Sequence, residues 1–487
     1  MLLDVVVHFL VNDMGRQVAM TTYGWQLLGK PEPEGRSEVW VGTIYASLNI
    51  LLEKQKIQKA LIEARSKGWN ARVRAYEEEM DEYDKAAEEL KERNQIIFSR
   101  LENVLKEIEE PYDKIAALNT SYENGNSQTT EDVRTLVGFC LEGFEESLGE
   151  IGISFVSFDF ESNIVWDRKA ENVLEELKKT KYVCYEEGAT ILDCDAIATD
   201  FELKKRWGLN PNHEIPRLVL VRSDGTTLYT LRDIAYSIEK FGLVDRVINV
   251  IGYEQILAQL QLRISLAALD KTWMGDNQTH FSYEHVKLPD IRMSGRLGRY
   301  VTLIDVLQKA VELAYNEVEK RMSHLSHSEK EDIAKKVGYG AVKYTLLNVD
   351  PMKTVVFEWD KALNFETNSA PFIQYSHARA CNILKRVRDE PKPDFSLLVD
   401  VKEKRLISTL SEWPGIFVKA VEELKPGLIT SFSNVLADRF NSFYASLHVL
   451  NAEEPGLRGA RVELVNATRI VLRNALNVIG IDAPEKM

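Results

Sequence analysis

Cysteine is scarce. The 487 residues hold four, Cys140, Cys184, Cys194 and Cys381, far apart and without C-x-x-C spacing. That pattern argues against a disulfide framework or a zinc site and fits a reducing cytoplasm. Long hydrophobic runs are missing too: none approaches the ~18 residues of a membrane span, so no membrane partner is expected. No P-loop, G-x-S-x-G or H-E-x-x-H signature occurs, and the eight histidines are scattered, so no metal site is expected. Only His377 sits in a polar-aromatic cluster, QYSHARA, where helix packing is its expected role. Positive charge is in deficit, with 61 Lys and Arg against 75 Asp and Glu. A deficit counts against a nucleic-acid partner, because phosphate binding rests on cations. From Glu366 to Met487, however, 16 basic residues nearly balance 15 acidic ones, which permits an RNA-facing C-terminal domain.

Proline is absent between Glu34 and Glu110. Within that span Trp69, Val73, Tyr76, Met80, Tyr83, Ala87 and Leu90 follow a 4-3 spacing, resumed after Asn94 by Ile97, Leu101, Val104 and Ile108. The spacing predicts an antiparallel helical hairpin or a coiled-coil arm. The stretch Asn119 to Asp132 is polar and reads as a surface loop. Strands are expected at Ile153–Phe158, Arg217–Val221 and Arg246–Gly252, with helical periodicity after the last two, the order of a parallel α/β sheet. From Leu303 onward the pattern is helical. The opening MLLDVVVHFLVNDMGRQ carries a Val-rich run, Val5 to Val11, that predicts a strand of the same sheet buried on both faces. Such a strand seldom starts a domain, and Asp4 with no cleavage site argues against a signal peptide. An upstream segment is therefore expected to be missing.

Three stretches could carry chemistry. In SDGTTLYTLRDIAYS, the turn Asp224-Gly225 follows a strand, and ligands of open α/β sheets bind beyond the carboxyl ends of strands. Tyr229 and Asp233, four apart, share a helix face. A carboxylate beside a tyrosine hydroxyl suits a planar guanidinium, whose forked donors it accepts in pairs. The plainer alternative is that Asp233 pairs with Arg232 or caps a helix. In IRMSGRLGRY, Arg292, Arg296 and Arg299 punctuate a loop with Gly295 and Gly298, a pattern suited to a polyphosphate and equally to a solvated basic loop. VNDMGRQ, at the tip of the first strand, could line a crevice or simply turn.

In order and spacing, VVVHFLVNDMGRQ, RSDGTTLYTLRDIAYS, VINVIGYEQILAQLQ, RMSGRLGRY and NSAPFIQYSHARACNIL together resemble the arginyl-tRNA synthetases, class I aminoacyl-tRNA synthetases, and look nearest the archaeal type. The resemblance extends to the terminal Met487. It implies α/β plus all-α architecture: an N-terminally incomplete Rossmann-type parallel sheet with a helical insertion, then an α-helical anticodon-binding domain. The implied boundaries are 1–52 for the first half of the catalytic domain, 53–185 for the insertion and 186–300 for the second half. A helical linker at 301–368 and the anticodon-binding helices at 369–487 complete the division. The implied activity is ATP-dependent formation of arginyl-adenylate, followed by transfer of arginine to its tRNA, with ATP and Mg2+ as substrate, no structural metal and no DNA partner.

Residue by residue, the resemblance assigns Tyr229, Asp233 and Gln255 to the substrate arginine. RMSGR resembles the KMSKS loop of class I enzymes, with Arg292 at the first lysine and Gly295 at the second, so Arg292, Ser294 and Arg296 are the expected catalytic contacts to ATP phosphates. Tyr375, Arg379 and Arg461 are candidate RNA contacts, aromatics being suited to base stacking. The family's HIGH motif does not occur in this sequence. Since each lost phosphate donor typically costs ~10²–10³ in rate, the chain alone is expected to be impaired. A truncated chain, a separate N-terminal fragment as partner in a split enzyme, and a non-catalytic tRNA-binding paralogue are the alternatives this leaves.

Overall fold

The Val-rich opening is a strand only over β1 (His8–Val11), paired in parallel with β2 (Ser157–Phe160) in the register His8 to Ser157 through Val11 to Phe160. Contrary to expectation it is not buried on both faces. Val5, Val6 and Val7 are exposed and His8 to Leu10 half-buried, because among the described residues β1 is hydrogen-bonded to β2 alone. This computed structural model describes residues 5–223, 225–289, 293–388 and 391–487. They form two units, Met1–Ser282 with Arg292–Tyr300, and Tyr283–Ile291 with Val301–Met487.

In the first unit, six helices separate β1 from β2: α1 (Arg16–Leu27), α2 (Ser37–Ser66), α3 (Asn70–Arg93), α4 (Gln95–Leu105), α5 (Pro111–Glu123) and α6 (Ser127–Gly149). The proline-free stretch is the hairpin of α2 and α3. Ion pairs Arg65 to Glu77 and Lys54 to Asp84 run between the helices in opposite chain directions, which makes them antiparallel. The apolar stripe of α3 enters the core only near its end. Ala86, Ala87 and Leu90 share a cluster with Ile44 and Leu48 of α2, whereas Trp69 at the hairpin tip is exposed beneath the cations of Lys67 and Arg72. Asn94, which interrupts the heptads, caps α4 by accepting from the Ile97 N–H at 3.2 Å.

The expected loop at 119–132 is mostly helix. Only residues 124–126 turn, at Gly125 with φ +69°, and Asn126 caps α6 by accepting from the Thr129 N–H at 3.2 Å. Polar capping residues had the look of a loop. Asp132, inside α6, is buried by accepting from Lys30 and Gln26 at 2.5 and 2.7 Å.

After β2 come α7 (Glu161–Trp166), α8 (Lys169–Lys178), β3 (Val183–Glu186), β4 (Ala189–Leu192), α9 (Cys194–Asp200), α10 (Leu203–Arg206), β5 (Leu218–Val221), α11 (Tyr229–Lys240), β6 (Val247–Gly252), α12 (Ile256–Ala268), α13 (Thr272–Asn277) and β7 (Gln278–Tyr283). Among the described residues the strands are hydrogen-bonded as separate small ladders, β1–β2 being parallel, and not as one continuous parallel sheet. Among the described residues β3, β4 and β5 make an antiparallel ladder, and β6 pairs with β7. A core containing Leu218, Leu220, Leu231, Ile234, Leu262 and Leu266 packs α11 and α12 with β5.

The second unit is helical, as expected, with one small parallel ladder of β8 (Val286–Lys287) and β9 (Val355–Val356). Its helices are α14 (Leu303–Arg321), α15 (His327–Leu347), α16 (Trp359–Ala362), α17 (Ala370–Lys385), α18 (Val401–Glu422), α19 (Gly427–Ser446) and α20 (Pro455–Val478). Capping boxes start three of them, Thr302 with Asp305, Ser326 with Glu329, and Asp400 with Glu403. The tail returns to the bundle: Met487 is buried, and Gln374 donates to the Asp482 carbonyl at 2.9 Å. His377 is buried in the packing, its Nδ1 3.0 Å from the Pro484 carbonyl oxygen.

Candidate functional site

Beyond the carboxyl end of β5 the chain makes a tight turn, closed by the Arg222 N–H donating to the Thr226 carbonyl at 2.9 Å and by a bridge between Val221 and Thr227. Gly225 has φ +86°, a conformation that favours glycine. Asp224 lies outside the described residues. The turn delivers Tyr229 at the first position of α11, half-exposed, and Asp233 one turn later.

Neither of the plainer roles for Asp233 holds. The N-cap position is Leu228, and Arg232 points elsewhere, donating from Nη1 to Glu161 Oε1 at 2.7 Å. The Asp233 carboxylate has no hydrogen bond or ion pair among the described residues. Burial, reinforced by the nearby charge of Glu161 and opposed by Lys240 and Arg232, pushes it up to about 6. A largely desolvated carboxylate that no cation contacts directly is poised to accept one.

Further along α11 lie side chains that the sequence did not single out. Lys240, two turns along α11, donates to Asn249 Oδ1 at 2.6 Å, and Asn249 donates to Gln259 Oε1 at 2.8 Å, linking α11, β6 and α12. Burial lowers the Lys240 amine to about 8, against the opposing pull of Asp233 and Asp159. Tyr236 donates to Asp159 Oδ2 at 2.5 Å; His8 Nδ1 lies 2.8 Å from the same oxygen and 2.7 Å from Ser157 Oγ. His8, Asp159, Tyr236 and Lys240 line a cavity of about 170 Å³. One signal could have found part of this set: Tyr236 and Lys240 continue the face of Tyr229 and Asp233 at helical spacing.

VNDMGRQ has a structural role. Asp13 is fully buried and accepts from the Ser162 N–H at 3.0 Å, from Ser162 Oγ at 2.6 Å and from the Tyr122 hydroxyl, tying the β1 tip to α5 and α7. Gln255 is half-buried in the 3-10 turn Tyr253–Gln255 at the carboxyl end of β6, with no hydrogen bond to Tyr229 or Asp233.

Of the RMSGR stretch, Arg292 lies outside the described residues. Ser294 and Arg299 close the loop, the Ser294 N–H donating to the Arg299 carbonyl at 2.6 Å and the Arg299 N–H returning to Ser294 at 3.0 Å. Arg296 is exposed, and its guanidinium makes no hydrogen bond among the described residues.

In the second unit, Arg379 lies 4.7 Å from the Tyr375 ring and 5.3 Å from the Tyr444 ring, and donates to Asn441. Arg461 is engaged within the bundle. Its side chain is 11% exposed, Nε donates to the buried Glu403 at 2.7 Å and Nη1 to the His448 carbonyl at 2.7 Å, so the guanidinium is committed to joining α18 and α20.

Residues 41–359 match the family described as tRNA synthetases class I (R), catalytic domain, and residues 373–487 match the DALR anticodon binding domain. The chain belongs to the arginyl-tRNA synthetase family. Among the relatives of this family, arginine–tRNA ligase of Saccharolobus solfataricus is 37% identical over 99% of this chain and 77% of its own length. That of Sulfurisphaera tokodaii is 36% identical over the same shares. An arginyl-tRNA synthetase from Thermus thermophilus has the same fold, with TM-score 0.74 at 23% identity over 99% of this chain and 76% of that one. These family matches lend no support to a separate N-terminal fragment as partner.

Proposed function

We infer that the chain is an arginine–tRNA ligase in which Asp233 receives the guanidinium of arginine. The observation that carries this reading is the desolvated Asp233 carboxylate, with no hydrogen bond or ion pair among the described residues, one helical turn from Tyr229 at the end of a strand. The carboxylate accepts two parallel N–H bonds from the planar fork, the Tyr229 hydroxyl adds a polar contact at the rim, and Gln255 closes the site from the end of β6. ATP enters as its Mg2+ complex. The arginine carboxylate attacks the α-phosphorus, pyrophosphate leaves, and Arg292, Ser294 and Arg296 stabilise the charge that develops on it. A ribose hydroxyl of the tRNA end then attacks the arginyl carbonyl and AMP departs.

The helices from 369 onward bind the anticodon region of the tRNA, with Tyr375 and Arg379 as the contacts retained from the sequence. The near-balanced charge of this segment and the scattered, unpaired cysteines support an RNA-binding enzyme of the cytoplasm. No helix among the described residues is long and apolar enough to cross a membrane.

Asp233→Asn tests the reading. Arginine affinity should fall far more than ATP affinity in calorimetric titration of the full chain. Equal losses of both would mean a damaged fold and would overturn the role given to Asp233.

A further inference from the structure

The α2–α3 hairpin, which the reaction above does not use, grips Arg296 to Arg299. Asn49 of α2 donates from Nδ2 to the Arg296 carbonyl at 3.0 Å, and Arg93 of α3 donates from Nη1 to the Gly298 carbonyl at 3.2 Å. Leu297 packs into the core that α2, α3 and α4 share. Gly298 has φ +67° and sits so close to the hairpin that a Cβ there would meet Leu90 Cδ1 at 3.1 Å and Ala46 Cβ at 3.3 Å. The loop therefore lies against a surface that favours glycine at this position.

The last tether is ionic. Arg299 donates from Nε to Glu89 Oε2 at 2.7 Å and from Nη2 to Oε1 at 2.9 Å, a two-pronged pair. The bond to Arg299 holds the Glu89 carboxyl below its usual range, so the pair is ionised at neutral pH. A carboxylate beside a polyphosphate loop would repel its ligand unless a cation neutralised it. Arg299 supplies that cation, while the Arg296 guanidinium makes no hydrogen bond or ion pair among the described residues.

We propose that Glu89 is a positioning residue for ATP: through Arg299 it holds Ser294 to Arg299 on the α2–α3 hairpin, where Arg296 meets the phosphates. The helical insertion is thereby the seat of the nucleotide loop rather than a packing arm. This rests on the reading of RMSGR as the ATP-phosphate loop.

The test uses the full chain and two readouts, calorimetric titration with Mg2+-ATP and with arginine, and amide hydrogen exchange over Ser294 to Arg299. In Glu89→Lys, loop amides should exchange about tenfold faster and ATP should bind roughly five- to tenfold more weakly, while arginine affinity stays within about twofold. The exchanged pair, Glu89→Arg with Arg299→Glu, should restore the slow amide exchange. Loop amides that exchange at the parental rate in Glu89→Lys overturn the proposal, as does an unchanged ATP affinity or an equal loss for ATP and arginine. The reading of the loop falls separately, if Arg296→Ala leaves ATP affinity unchanged.

Discussion

Asp233→Asn should stabilise the protein while destroying its affinity for arginine. A carboxylate pushed from its ordinary 3.8 up to about 6 by burial penalises the folded state when it is ionised at neutral pH. Each tenfold change in proton affinity is worth about 1.36 kcal/mol, which makes the penalty ~3 kcal/mol. The sign follows from the raised value. Protonation favours the folded state, so the parent gains stability as pH falls from about 6 towards 4 and carries the full penalty above 6. The asparagine variant carries none of it at any pH. Its melting temperature should therefore exceed the parent's by several degrees at pH 8, with the difference shrinking through pH 6 and vanishing below pH 4. Differential scanning calorimetry of both proteins over pH 4 to 8 measures it. A variant that melts at or below the parent at pH 8, or a difference independent of pH, would refute the reasoning, since Asp233 would then have a partner in the folded protein. Together with lost binding, the gain would be the trade of stability for function expected where a site is strained for its ligand.

Three further outcomes follow from the same geometry. Arg461→Ala leaves Glu403 buried without its cation, which should cost about 3–5 kcal/mol by denaturant unfolding; an unchanged stability with weakened tRNA binding would restore Arg461 as an RNA contact. Asp13→Ala strands the Ser162 and Tyr122 donors in the interior and should lower stability by about 2–4 kcal/mol, with ATP and arginine affinities per folded molecule unaltered. Gly298→Ala should weaken ATP binding by about tenfold, because a Cβ at φ +67° both strains the backbone and lifts the loop off Leu90; calorimetric titration with Mg2+-ATP reads it directly.

That Tyr229 and Asp233 stand one turn apart on a helix was legible because helical spacing is local and the Asp224-Gly225 sequence announces the helix that carries both. The hairpin was legible too, through the missing proline and the 4-3 stripe. What tertiary structure decides was not. The environment of Asp233 depends on Glu161 and Lys240, and the water exclusion that raises its titration comes from packing across elements distant in sequence. Arg461 and Arg379 looked alike as basic residues of helices. One bonds Glu403, 58 residues away, and the other bonds Asn441, 62 residues away, partners that local spacing does not announce. The stretch 119–132 misled because serine, threonine and asparagine cap helices as readily as they line loops. Strand order misled because a strand-helix alternation specifies sequence order but not which edges meet, and β5 finds β4 rather than β6.

The central claim is that a carboxylate in this chain reads a guanidinium. It is tested most directly by calorimetric titration of the full chain at pH 7.5 with arginine and with citrulline, which differs only in carrying a neutral urea in place of the charged fork. The account predicts that arginine binds about a hundredfold or more tightly than citrulline in the parent, as expected when a desolvated charge loses its partner, and that Asp233→Asn erases most of that preference. Equal affinity for the two ligands in the parent chain would contradict it.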